Sequence, residues 1–293
     1  MTAEIPSAWS PEALQLGEGA RWVDGDLYLV DILAGRLLRA PARAGGALEE
    51  VWRIPGPLGA VAPVASRPGS WIAAAGAGIA RVDPGGEHSS PRLTWLGRPE
   101  LDAVVPMRMN DGVADPHGRF WAGSMAFDAT ADAGSLYRLD GDGTVHRVLG
   151  DITIPNGPAF TSDGATMYLA DSARGVVDRW TVDPATGAVG DRERFVELRA
   201  GSPDGMTADD EGCLWVAVWG EAAVHRYRPD GSRAQTLDLP ARQPASVCLG
   251  GSDGRRLFIT SATEGLARPG PGDGLLYATT VATGGSAACA VRL

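Results

Sequence analysis

The chain has 293 residues and a formal net charge of −10, and every one of its 26 basic residues is an arginine. That balance argues against nucleic acid or an anionic membrane surface as a partner, because neutralising phosphates needs a basic patch. The lack of lysine excludes Schiff-base chemistry and the phosphate loop built on Gly-Lys.

In chain order, the first segment, Met1 to Glu18, carries Glu4 and Glu12 and has neither the basic head nor the apolar core of a secretion signal, so a cytoplasmic location is expected. No window approaches a membrane span. From there a turn followed by a large aromatic and small apolar residues recurs: Asp24-Gly-Asp-Leu-Tyr28, Pro68-Gly-Ser-Trp71, then the same pattern ending at Trp121, Tyr168, Trp215 and Phe258. These six aromatics are 43 to 50 residues apart, which is the period of a repeat architecture.

Each unit continues into further short strands, such as Gly35-Arg-Leu-Leu-Arg39, Gly134-Ser-Leu-Tyr-Arg138 and Ala223-Val-His-Arg-Tyr227. Four strands in about 45 residues make one blade of a β-propeller. The expected fold is therefore all-β, a single six-bladed propeller of four-stranded antiparallel blades spanning residues 1–293. Forty glycines and 21 prolines suit so many turns. Inner strands are expected to start near Gly17, Gly59, Arg108, Pro155, Ser202 and Pro244. Ala8 to Leu16 is expected to pair with the last blade and close the ring, since an open edge strand invites aggregation.

Several motifs dissolve on inspection. Cys213, Cys248 and Cys289 are odd in number and far apart, which suits neither a disulfide framework nor a thiolate metal site. Asp140-Gly-Asp-Gly-Thr144 opens like a calcium loop but has Val145 where that loop needs Gly, and reads as a hairpin turn. His88 and His117 fall in turns, and His146 and His225 fall on outer strands, so none is assigned chemistry.

The entrances of the inner strands are different. Glu18, Asn110, Asn156 and Asp204 stand there in four units, each just before a Gly or an Asp-Gly. Asn-Gly and Asp-Gly singly are ordinary turn dipeptides. Their recurrence in phase at strand starts points instead to a ring of hard oxygen donors suited to Ca²⁺, Mg²⁺ or Mn²⁺.

These residues carry a resemblance. Leu16-Gly-Glu18-Gly-x-x-Trp22, Arg108-x-Asn110-Asp111-Gly112, Asp115-Pro-x-Gly-Arg119, Pro155-Asn156-Gly157 and Pro203-Asp204-Gly205-Met206, in this order, resemble the senescence marker protein (regucalcin)/gluconolactonase/luciferin-regenerating-enzyme family. The resemblance implies a six-bladed propeller that binds one divalent cation and hydrolyses sugar lactones. Calcium comes first, with Zn²⁺, Mn²⁺, Mg²⁺ and Fe²⁺ also open.

Carried over, Glu18, Asn156 and Asp204 look like the metal ligands, Asp204 like the general base, and Arg108, Asn110 and Asp111 like substrate contacts. Arg108 has a second reading as a counter-charge to Asp111. The expected partner is a small sugar lactone, bound by a monomer or weak homo-oligomer. Two other functions remain open: a phosphotriester or aryl-ester hydrolase on the same site, and a non-catalytic calcium-binding propeller.

Overall fold

The computed structural model describes residues 5–41, 43–85 and 90–293; His88 lies outside them. Among these residues the chain forms 24 strands in six four-stranded sheets, with one 3-10 turn at Ser172–Arg174 as the only helical element. The innermost strands are β2 (Gly17–Val23), β6 (Leu58–Pro63), β10 (Met107–Ala114), β14 (Pro155–Phe160), β18 (Ser202–Ala208) and β22 (Pro244–Gly250). Each starts within a residue of its expected position. Three antiparallel strands follow outward in blades one to five.

Blade six has only two more of its own, β23 (Arg256–Ser261) and β24 (Leu276–Thr280), and takes its outer strand from the other terminus: β1 (Ser7–Ser10) pairs with β24. The closing segment is thus shorter than Ala8 to Leu16, though Leu16 still bridges Ala262. A second closure runs along the far end of the ring. There Asp210 N donates to Gly284 O, Ala288 N to Trp22 O, Val291 N to Pro63 O and Arg292 N to Gly118 O, so one tail ties blades five, one, two and three. No helix among the described residues is long and apolar enough to cross a membrane.

In two of the six units the turn-plus-aromatic pattern has a shared physical cause. Asp209 opens the turn between β18 and β19 (Leu214–Trp219), and its Oδ1 accepts the backbone N–H of Glu211 and Cys213, both at 3.0 Å. Its Oδ2 accepts Trp215 Nε1 at 3.1 Å and Arg226 Nε at 2.7 Å. Asp115 repeats the device with His117 N, Arg119 N, Trp121 Nε1 and Arg119 Nε. Trp121 and Trp215 are among the largest fully buried side chains, and each needs a partner for its indole N–H. One carboxylate thus shapes the turn and satisfies the aromatic wedged between blades.

Cutting the Asp209 carboxylate strands the Trp215 indole N–H and takes from Arg226 its buried partner, leaving it Glu211 at the surface. Asp209→Ala should therefore lose about 2–4 kcal/mol of stability, the cost of a buried donor left unsatisfied together with a lost charge-assisted hydrogen bond. Urea unfolding measures this, and a loss below about 1 kcal/mol would show that water replaces the carboxylate.

Candidate metal and substrate site

Every inner strand carries a register irregularity in its first half. Between Glu18 and Arg21 the first strand spends three residues where its neighbour, Tyr28 to Val30, spends two. The same one-residue excess occurs at Met109 to Gly112, Asn156 to Ala159, Pro203 to Met206, Pro244 to Val247 and Leu58 to Ala60. These are β-bulges, which bend a strand and re-aim its side chains, often beside active sites.

Bulges also explain the glycines of the Asn-Gly and Asp-Gly pairs, which are not hairpin turns here. Gly157 takes φ 76°, a conformation that costs other residues strain. Gly205 has a neighbouring backbone where a side chain would go, since a Cβ there would lie 2.8 Å from Ser246 Cα.

The bulged ends bring Glu18, Asn110, Asn156, Asp204 and Arg108 onto the wall of one cavity of about 310 Å³. Glu18, Asn110, Asn156 and Asp204 are each 5 % exposed or less. Asn156 is held from two sides: its Nδ2 donates to Ser172 Oγ at 2.8 Å, and its Oδ1 accepts Asn110 Nδ2, also at 2.8 Å. Ser172 Oγ in turn donates to Pro203 O at 2.5 Å, beside Asp204. Arg108 Nη1 donates to Asn110 Oδ1 at 2.7 Å and to Met109 O at 3.1 Å.

Asp111 is placed differently from expectation. It does not line the cavity; its Oδ1 accepts Gly112 N at 2.7 Å and Arg21 Nη2 at 3.3 Å, and its Oδ2 accepts Gly157 N at 3.1 Å. The bulge turns it into the wall, where it joins blades one, three and four. Nor is Arg108 its counter-charge, because Arg21 holds that place. Arg21 and Asp111 lie between this cavity and a second one of about 190 Å³ at the far end of the channel, which Arg21 and the tail residues Ser286 to Cys289 line.

Sequence reasoning missed Ser172, Arg21 and the rim residue Glu264. Ser172 and Arg21 act through partners on other blades, and Glu264 lies in the second-to-third-strand loop of blade six, which is longer than the equivalent loops, so no local pattern marks them.

The electrostatics are those of a site short of positive charge. The Glu18 and Asp204 carboxyls stand close together in the cavity wall, where a proton on one can be shared with the other. Burial pushes Glu18 up from 4.5 to about 8, with repulsion from Asp111 adding to it. Asp204 is raised well above its ordinary value by burial first and then by Glu18 and Asp111. Burial also pulls Arg108 down, against the pull of Glu18, Asp204 and Glu264.

No group of three or more His, Cys, Asp and Glu is gathered for a metal among the described residues. The donors here are two carboxylates and an oriented amide oxygen, a set that hard divalent cations take up with water completing the shell. Two buried acids that cannot both ionise alone fit such a cation, and Glu18, Asn156 and Asp204 are the residues that would hold it.

The family model described as SMP-30/Gluconolactonase/LRE-like region matches residues 16–263. The chain is 37 % identical over 285 residues to pentonolactonase XacC of Haloferax volcanii, covering 95 % of this chain and 90 % of that one. It is 34 % identical to a 6-deoxy-6-sulfogluconolactonase of Pseudomonas putida, with 93 % of each covered. Among solved structures, a calcium-binding protein, regucalcin, from Agrobacterium tumefaciens superposes with a TM-score of 0.88 at 30 % identity, covering 99 % of this chain and 98 % of that one.

A carboxyl whose pKa is raised by folding contributes stability that is fully present below its ordinary pKa and is lost as pH rises through the raised value. For Glu18 that window runs from 4.5 to about 8. The Tm of chelator-treated protein should fall across this window, saturating divalent cation should remove most of the fall, and Glu18→Gln should flatten it. A Tm profile identical in wild type and Glu18→Gln would contradict the shared-proton arrangement.

Proposed function

We propose that this protein, which belongs to the SMP-30/Gluconolactonase/LRE-like family, is a hydrolase of sugar lactones that works with one divalent cation. The observation that supports this most directly is the convergence of Glu18, Asn156 and Asp204 on one cavity, with Arg108 and Asn110 beside them. The names of two relatives, both lactonases, point the same way. A divalent cation held by Glu18, Asn156 and Asp204, calcium before zinc, manganese, magnesium or iron(II), would supply Lewis-acid polarisation of the lactone carbonyl.

The chain's own residues do the rest. Asp204 takes a proton from water at a carboxylate oxygen as the water oxygen attacks the carbonyl carbon. It returns that proton to the ring oxygen as the ring C–O bond breaks, leaving the open hydroxy acid. Arg108 commits Nη1 to Asn110 Oδ1 and Met109 O. The rest of its planar fork is free to donate to substrate hydroxyls. Asn110, gripped by Arg108 and gripping Asn156, orients the ligand amide and carries a substrate contact of its own. Asp111 positions this group from behind through Gly157 N.

Hydrolysis releases acid, so a pH-drop assay over a panel of aldonolactones reads it directly, using metal-stripped protein re-supplied with each divalent cation. Asp204→Ala should abolish turnover, since it removes a ligand and the base together. Arg108→Ala should keep the cation and raise KM about tenfold or more, the effect of one or two charge-assisted hydrogen bonds. Near-normal kcat in Asp204→Ala would remove Asp204 as base and ligand, and no lactone opened with any cation would favour a non-catalytic cation-binding propeller instead.

A further inference from the structure

Above the cation ligands the cavity changes character. Two positions before each of Glu18, Asn110, Asn156 and Asp204, and nearer the mouth by about 7 Å where the strand is extended, stands another that lines the cavity. Those residues are Leu16 before Glu18, Arg108 before Asn110, Ile154 before Asn156 and Ser202 before Asp204, and all four line the cavity.

The neighbouring strands add a second residue at the same height. Ile32 N donates to Leu16 O at 3.0 Å, Met125 pairs with Arg108, and Trp219 pairs with Ser202. Ile32, Met125 and Trp219 also line the cavity. The result is a polar floor under a collar made mostly of Leu16, Ile32, Met125, Ile154 and Trp219. On the same end of the ring the loops of blade three expose Leu101, Val104 and Phe127, so the apolar character extends to the rim. In the collar the groups able to read a hydroxyl are Arg108, Ser202, Glu264 and the Trp219 indole N–H at one side, and Glu264 already accepts Gln15 Nε2 at 2.9 Å.

We propose, building on the lactonase reading, that this collar selects sugar lactones whose carbon farthest from the carbonyl carries no hydroxyl, the 6-deoxyaldonolactones. With the carbonyl on the floor, the far end of a six-carbon lactone reaches the collar. A methyl group there removes apolar surface from water on both sides. A hydroxyl there gives up its water and finds no partner on Leu16, Ile32, Met125 or Ile154. The polar demands of the substrate are then confined to its near half, within reach of Arg108 and Asn110.

The test compares lactones that differ only at C6: L-fuconolactone with L-galactonolactone, L-rhamnonolactone with L-mannonolactone, and 6-deoxy-D-gluconolactone with D-gluconolactone. In every pair that is turned over, kcat/KM should favour the deoxy lactone by about 10- to 100-fold, the range within which apolar pockets discriminate. Ile154→Asn and Leu16→Asn, which offer the C6 hydroxyl a partner, should each shrink that ratio.

Calorimetric titration of L-fuconate and L-galactonate into the wild type supplies a readout independent of turnover and should give the same order. Pairs opened equally well, or with the hydroxylated member preferred, would overturn the collar proposal while the lactonase reading stands. If no sugar lactone is opened with any cation, the lactonase reading falls and the proposal falls with it.

Discussion

Glu18 and Asp204 are buried in contact with each other, and most of the structure answers to that. Two carboxyls taken from water lose hydration, and the nearby charge of Asp111 adds to this, which is why both hold their protons above the usual carboxylate range. Such a pair persists only where the backbone cannot relax away from it. Here the two acids stand on strands of different blades in a ring closed twice, by β1 on blade six and by the tail across the far end. Neither blade can tilt outward without breaking one of those seams.

The bulges convert this rigidity into a site. An unbroken strand alternates its side chains and would present every second residue to the channel. One extra residue lets an acid or amide point to the centre while the next group is re-aimed into the wall. Asp111 shows the consequence: beside a channel-facing Asn110, it pairs with Arg21 and fixes Gly157. Arg21 and Asp111 together close the site from below, with the guanidinium committed to Asp111, Ala20 O and Gly112 O.

Depth along the channel therefore separates two chemistries. Charged and amide groups sit at the bottom, where burial magnifies electrostatic interactions. Apolar side chains sit above them, where contact rather than hydrogen bonding discriminates. Arg108 spans both levels: it grips Asn110 below and belongs to the collar by position.

The sequence by itself determined the number of blades and the phase of the ring, because a repeat of four strands with a buried aromatic is a local pattern that each unit must satisfy on its own. It also marked Glu18, Asn110, Asn156 and Asp204, since equivalent positions in a closed repeat meet at the axis. Only the tertiary structure decided that Arg21 and not Arg108 pairs with Asp111, that Ser172 holds the Asn156 amide, and that Leu16, Ile154 and Trp219 share one collar. Each of those depends on which blades face one another and on a one-residue bulge that reverses a side chain's direction. Such cross-blade contacts join residues far apart in the chain, and no local run of residues encodes them.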